Sequence, residues 1–339
     1  MVSELTIENA TDFLVSLGIS DCSDVVDVEM LGWGISNTLV KVTTRTDSFV
    51  LKQSLPQLRV DNEWLADRDR IYREKHCIET LSEIFGNNTI PRVYGCDVDN
   101  FLFVMSCGPH PGVNWKESLL SGRVDPTLAY EAGRILSKIH DFSFYNENIA
   151  SQFIEDKVFR QLRIDPYYYF TAKQHPDLAN LIVDAASTLL NTKSVLVHGD
   201  YSPKNFIVGN PGLFLLDFEV VHYGHPLFDI AFMLNHLILK AIHNPLAMGS
   251  YIHSMQEYIR GYEEFWDISS GRESLNLIDS DELVKQIGCL MLARIDGKSP
   301  VEYIVNSTTQ SVVRGIAKSI ICGQHPDLNS VIALVSDEA

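Results

Sequence analysis

The sequence predicts an α+β chain built as two lobes, and three observations carry that prediction. Short β-branched runs broken by glycine and asparagine fill the first part of the chain, whereas apolar residues recurring every three or four positions dominate after Cys107-Gly108-Pro109. A chain of 339 residues is also long enough to divide into two cores. The expected division is a small mixed β-sheet lobe over residues 1–107 and a larger, mainly helical lobe over residues 108–339.

In order, Val25 to Leu31, Leu39 to Thr44 and Ser48 to Gln53 read as strands, separated by Gly32, Gly34 and Asn37 and by the Thr46-Asp47 turn. A long charged helix is expected from Asp61 to Phe85, with Trp64, Ile71, Ile78, Leu81 and Phe85 on one face. Gly86-Asn87-Asn88 would close it in a left-handed cap. Ile90 to Tyr94 and Phe101 to Ser106 complete the sheet. Helical periodicity then marks Pro126 to His140, Pro176 to Leu190, Pro226 to Ile242, Tyr251 to Trp266 and Asp281 to Arg294. Two brief apolar runs, Ser194 to Val197 and Leu213 to Leu216, lie among these helices.

Composition narrows the function. With 45% hydrophobic and 21% charged residues the chain reads as an ordinary globular protein. A net charge of -17 argues against nucleic acid and anionic membranes as partners, since both require basic surfaces. The surplus carboxylates most simply solvate the surface, with an acidic pocket for a cation as the alternative. Six cysteines stand apart with no CxxC pair, which sets aside zinc and dithiol chemistry. The start, Met1-Val2-Ser3-Glu4, lacks the pattern of a secretory signal. The longest apolar run, Leu227 to Ile242, is interrupted by Asp229, Asn235, His236 and Lys240 and therefore reads as a buried helix, not a membrane span. A cytoplasmic protein is expected.

The stretch Val197-His198-Gly199-Asp200-Tyr201-Ser202-Pro203-Lys204-Asn205-Phe206-Ile207 carries the chemistry. It has the form H-x-D-x-x-x-x-N between apolar runs, and Asp217 follows at the end of the next run, Leu215-Leu216-Asp217-Phe218-Glu219. Phosphoryl transfer requires a carboxylate beside the attacking hydroxyl, and magnesium held by an amide oxygen and a second carboxylate. Asp200, Asn205 and Asp217 supply that set. Any one of these aspartates alone would read as a turn residue; the three together, with a lysine upstream, do not.

That lysine is Lys52, at the end of Ser48-Phe49-Val50-Leu51-Lys52-Gln53. A strand lysine can hold the phosphates of ATP if a glutamate fixes it, and Glu74 is preferred over Glu63 and Glu79. The alternative is a solvated edge lysine. The turn from Gly32 through Gly34 and Ser36 to Asn37 offers backbone amides to phosphate, or forms a plain hairpin.

With these residues the chain resembles the aminoglycoside phosphotransferase and choline kinase superfamily. The resemblance rests on His198-Gly199-Asp200 through Asn205, on Leu216-Asp217-Phe218-Glu219, and on Gly224, Pro226 and Phe228-Asp229-Ile230-Ala231. It implies a protein-kinase-like fold, and an ATP- and Mg2+-dependent kinase acting on a small-molecule hydroxyl. The front lobe is similar to the methylthioribose kinase family through Leu51-Lys52-Gln53-Ser54-Leu55-Pro56 with Arg59-Val60, Trp64 and the Arg70 to Glu74 helix, and through Phe218 to Gly224. Asn205, and the lack of paired arginines near the C-terminus, depart from that family. The acceptor thus stays open among a sugar or nucleoside-derived hydroxyl, which is favoured, an amino alcohol and an aminoglycoside.

The resemblance further implies that Asp229 braces the catalytic loop and that Met105-Ser106-Cys107 meets adenine, with Met105 and Cys107 as cofactor contacts. It makes His198 an orienting group in preference to a base. Lys204, Glu219, His222, Arg294 and Asp296 are the candidates for the acceptor, although His222 and His225 equally suit loop anchoring. Ala293 to Pro300 reads either as an acceptor segment or as a capped helix end with a new helix starting at Pro300. The aromatic run Asp165-Pro166-Tyr167-Tyr168-Tyr169-Phe170 reads as packing between helices in preference to a stacking platform. A nucleotide-binding scaffold and a protein kinase are the competing functions. Glu219, where protein kinases carry glycine, disfavours the latter.

Overall fold

The structure, a computed structural model, describes residues 2–32, 36–57, 66–270, 277–278 and 280–338. It divides into two compact units, Met1–Gly112 with Gly209–Val220, and Val113–Val208 with Val221–Ala339. The first unit therefore takes in the stretch holding Asp217, which the division at residue 107 does not anticipate. Local contacts explain this: Leu215 N donates to Thr89 O at 2.8 Å, and Gly209 packs so closely on Pro109 that a Cβ there would come within 2.6 Å of its ring.

In the first unit, β1 (Val25–Leu31), β2 (Asn37–Thr44), β3 (Ser48–Ser54), β4 (Val93–Asp97) and β5 (Leu102–Ser106) form an antiparallel sheet in the order β1-β2-β3-β5-β4. One face packs Val40, Val42, Phe49, Leu51, Leu102 and Val104 against Phe13 and Leu14 of α1 (Ala10–Ser16), a helix the periodicity does not reveal. Alternation along β3 turns Val50, Lys52 and Ser54 to the opposite face. Lys52 lies between Leu39 of β2 and Phe103 of β5, so it is no edge lysine.

The second helix, α2 (Arg70–Leu81), buries Ile71, Glu74, Cys77, Ile78 and Leu81 at helical spacing. It begins at Arg70, not Asp61; residues 61–65, with Glu63 and Trp64, lie outside the described residues. Its end is also earlier than expected. Ser82 caps it in right-handed geometry, and Gly86 is not left-handed.

The second unit is helical: α3 (Trp115–Leu120), α4 (Pro126–Ser143), α5 (Glu147–Phe153), α6 (Lys157–Phe159), α7 (Phe170–Gln174), α8 (Ala179–Asn191), α9 (Leu227–His243), α10 (Met248–Ser270), α11 (Asp281–Asp296), α12 (Ser307–Ile321) and α13 (Leu328–Glu338). Every residue from Leu227 to Ile242 is buried, as the interrupted apolar run predicts. Among the described residues no helix is long and apolar enough to cross a membrane. The strands Val195–Val197 and His222–Gly224 pair antiparallel.

Two local expectations change. The aromatic run belongs to a π-helix, Arg160–Tyr169, wound through Pro166. Wider turns relieve the clash that a proline ring makes in an α-helix. No helix starts at Pro300; α12 starts at Ser307 under an Asn306 cap that accepts from Thr308 N and Thr309 N.

α4 and α10 cross where neither has a side chain. A Cβ on Gly133 would lie 2.1 Å from Tyr258 O, and one on Gly261 2.2 Å from Tyr130 O. Gly133→Ala forces the backbones apart and is expected to destabilise the protein by about 1–3 kcal/mol. Urea unfolding checks this, and an unchanged midpoint refutes the close crossing.

Candidate active site

In the first unit the Lys52 ammonium lies 2.8 Å from Glu74 Oε1 and 2.6 Å from Asp217 Oδ1. Lys52 and Glu74 are buried, whereas the Asp217 side chain keeps 24% exposure. Asp217 holds φ 69, a left-handed conformation that a non-glycine residue keeps only under constraint. Burial alone would pull the lysine down. Asp217, Glu74 and Glu219 override it and hold the ammonium well above its ordinary value. Burial pushes Glu74 up to about 7 against the pull of Lys52, because one ammonium does not neutralise two neighbouring carboxylates.

Glu219 takes a different place from the one expected. Its Oε1 accepts from Ser36 Oγ at 2.7 Å, and its Oε2 from Asn37 Nδ2 at 2.9 Å and Arg70 Nε at 3.0 Å. Both oxygens are engaged, so Glu219 pins the start of β2 and is not carried forward as an acceptor group. Ser36 and Asn37 likewise turn their side chains to Glu219. Gly32 lies just past β1, and Gly34 lies outside the described residues. Met105 sits in the ladder between Val50 and Val93, and Cys107 N donates to Ser48 O at 3.4 Å.

In the second unit the loop after Val195–Val197 is held from below. Asp229 accepts from His198 N at 2.6 Å and from Gly199 N at 2.9 Å, the bracing that the resemblance implies. Gly199 has φ 78. Its carbonyl accepts from Arg163 Nε at 2.6 Å. Asp200 pairs with Arg163 at 3.0 Å and with Lys204 at 2.8 Å. Asn205 Nδ2 donates to Asp200 O at 2.8 Å, so the amide oxygen is the branch turned away from the loop backbone.

Two acceptor candidates have other duties. His222 is buried and stacked on Phe159 at 4.0 Å, an anchoring role. Asp296 accepts from both Nε and Nη2 of Arg314, at 2.8 Å each, and lies 2.9 Å from His175 Nε2. Arg314 and His175 thus hold that carboxylate in place. Arg294 is half-buried and donates to Tyr167 OH at 3.2 Å and Ser299 Oγ at 2.9 Å. The carboxylate partners of Arg70 and Arg163 escape a sequence reading, since an arginine on a helix carries no signal of the carboxylate it will meet.

The donor set suits magnesium. Among the described residues no group of three or more His, Cys, Asp or Glu forms a closed cage. Magnesium characteristically takes one or two protein oxygens and completes its shell with water and phosphate. Asp217 in the first unit, with a partly exposed carboxylate, is a donor of that kind, and so is the amide oxygen of Asn205 in the second, each taken by itself.

The family model described as phosphotransferase enzyme family matches residues 27–265, and the chain belongs to that family. It is a phosphotransferase. Methylthioribose kinase of Pectobacterium atrosepticum is 26% identical over 298 residues, covering 78% of this chain and 73% of that protein. Spectinomycin phosphotransferase, solved in complex with ADP and spectinomycin, superposes with a TM-score of 0.55 over 99% of this chain and 100% of its own at 14% identity. Choline kinase LicA from Streptococcus pneumoniae gives 0.51 over 93% and 98% at 13% identity. These likenesses show the kinase-like fold that the motifs imply.

Lys52→Met leaves two carboxylates facing each other without their cation and is expected to cost about 3–5 kcal/mol near pH 8. A carboxylate raised in the folded state gives stability that is complete below its unfolded value, here the ordinary 4.5, and lost as pH rises through about 7. The loss in Lys52→Met is therefore smaller at pH 5, where Glu74 holds a proton. Urea titrations at the two pH values check this; equal losses refute it.

Proposed function

We propose that this phosphotransferase moves the γ-phosphate of ATP to a hydroxyl of a small molecule, a sugar-like acceptor being favoured. The observation that carries the reading is the Lys52 ammonium fixed by Glu74 and Asp217 in a chain of this family. In this reading the first unit supplies the nucleotide contacts, with Lys52 on the phosphates and the backbone of Gly32, Ser36 and Asn37 and of Met105 to Cys107 beside the nucleotide. Asp217 and Asn205 would hold Mg2+, which would supply neutralisation of charge on the phosphates.

Asp200 orients the acceptor hydroxyl and takes its proton as the oxygen attacks the γ-phosphorus; the bond to the β-phosphate oxygen breaks and ADP leaves. Arg163 and Lys204 hold the Asp200 carboxylate in place. The relatives' names support the acceptor class, one being a kinase of a thio-sugar and another of an antibiotic. A reaction drawing on cellular ATP fits a cytoplasmic setting.

Asp200→Asn is expected to lower kcat by ~10²–10⁴-fold while thermal stabilisation by ATP and Mg2+ persists. ADP release measured with methylthioribose, choline, an aminoglycoside, homoserine and simple sugars checks both this and the acceptor. An Asp200→Asn enzyme as fast as wild type would remove the role given to that carboxylate.

A further inference from the structure

The apolar helix α9 buries two polar groups one turn apart, His236 and Lys240. Lys240 is 1% exposed. Its ammonium donates to His236 O at 3.2 Å, lies 5.3 Å from the centre of the Tyr303 ring, and pairs with no carboxylate among the described residues. Burial, helped by Lys116 and Arg294, brings it down to about 7 against a weak opposing pull from Glu302. His236 is held well below its ordinary value by burial and then by Lys240, Arg294, Lys204 and Lys116.

Contacts run from this patch to Asp200. The His236 ring meets Phe232 at 4.9 Å, Phe232 stacks on Tyr167 at 6.0 Å, and the Arg163 guanidinium lies 5.7 Å from both Tyr167 and Phe232. Arg163 binds Asp200, and Arg294 binds the Tyr167 hydroxyl while its Nε is buried with no partner. Burial would push the Tyr167 phenol up, yet Arg294 and Arg163 more than offset it. Among the described residues, five cations, Arg163, Lys204, Lys116, Lys240 and Arg294, thus meet two carboxylates in ion pairs and electrostatic contacts, Asp200 and Glu302. Asp200 takes Arg163 and Lys204; Glu302 takes Lys116. Lys240 and Arg294 are left over, on two helices, in a chain whose net charge is -17.

We propose that the acceptor carries an anionic group, a carboxylate or a phosphate ester, which Lys240 and Arg294 hold while Asp200 meets the hydroxyl. This rests on the phosphotransferase reading and names its substrate class. A carboxylate or phosphate would give the Lys240 ammonium the counter-ion that its carbonyl and ring partners do not supply. A neutral sugar leaves that ammonium uncompensated, and a quaternary ammonium or aminoglycoside adds a like charge beside it.

The test compares gluconate and glucose 6-phosphate with glucose, choline and kanamycin, by ADP release and by thermal shift. Wild type is expected to favour an anionic compound over glucose by ~10-fold or more in kcat/KM, with gluconate and glucose 6-phosphate separating carboxylate from phosphate. Lys240→Met is expected to collapse that ratio towards one and Lys240→Arg to retain most of it. Lys240→Gln serves if the Met variant does not fold. A ratio unchanged in Lys240→Met, or glucose or choline as good as the anions, overturns the proposal and leaves the phosphotransferase reading intact. If no compound releases ADP, that reading of the reaction is in question, and the thermal shift decides this one: stabilisation by an anion in wild type but not in Lys240→Met supports it, and none in wild type ends it.

Discussion

One ammonium organises the first unit. Lys52 sits mid-sheet, where an uncompensated charge is among the costliest things a fold can bury, and it is tolerated because Glu74 and Asp217 lie within hydrogen-bond reach. The three residues come from a strand, a helix and the returning stretch Gly209–Val220, so the ion cluster fastens three separate pieces of chain. The cluster is also unbalanced. Two carboxylates face one cation, and Glu74 answers by rising towards neutral pH. A site left with surplus negative charge and a partly exposed Asp217 is disposed to accept a further cation, the role proposed here for magnesium.

A second brace lies two residues further on. Glu219 gathers Ser36, Asn37 and Arg70, so the same returning stretch is tied to the start of β2 and to the first turn of α2. Asp217 therefore stands between a knot at Lys52 and a knot at Glu219. Held from both sides, it keeps a left-handed backbone that a free loop would release. The Asp200 loop is constrained by the same logic from other groups, with Asp229 on its amides and Arg163 on its carbonyl and carboxylate.

The sequence exposes the parts of this design that depend on local pattern. Strands β1 to β3 and helix α9 are legible because period and composition alone dictate them. Asp200, Asn205 and Asp217 stand out in the sequence because fixed spacing between apolar runs is itself a local signal, and their roles belong to the proposed function. What escapes is set at long range. Glu219 reads as a substrate group until its partners, some 180 positions away, are seen to occupy both oxygens. Asp296 is lost to Arg314 for the same reason. The short α1, with three buried residues, gives too little period to detect, and the π-helix hides because Pro166 forbids the regular helix its neighbours would otherwise suggest.

Net charge illustrates how a global quantity misleads about a site. A value of -17 describes the solvated surface, where charges beyond about 8 Å are screened at physiological salt. The field inside the helical unit is set by near neighbours, and there, among the described residues, Lys240 and Arg294 pair with no carboxylate. Buried apolar residues in their places would pack α9 and α11 at lower cost, since an unpaired interior cation weakens a fold. A bound anion of the kind proposed would remove that cost.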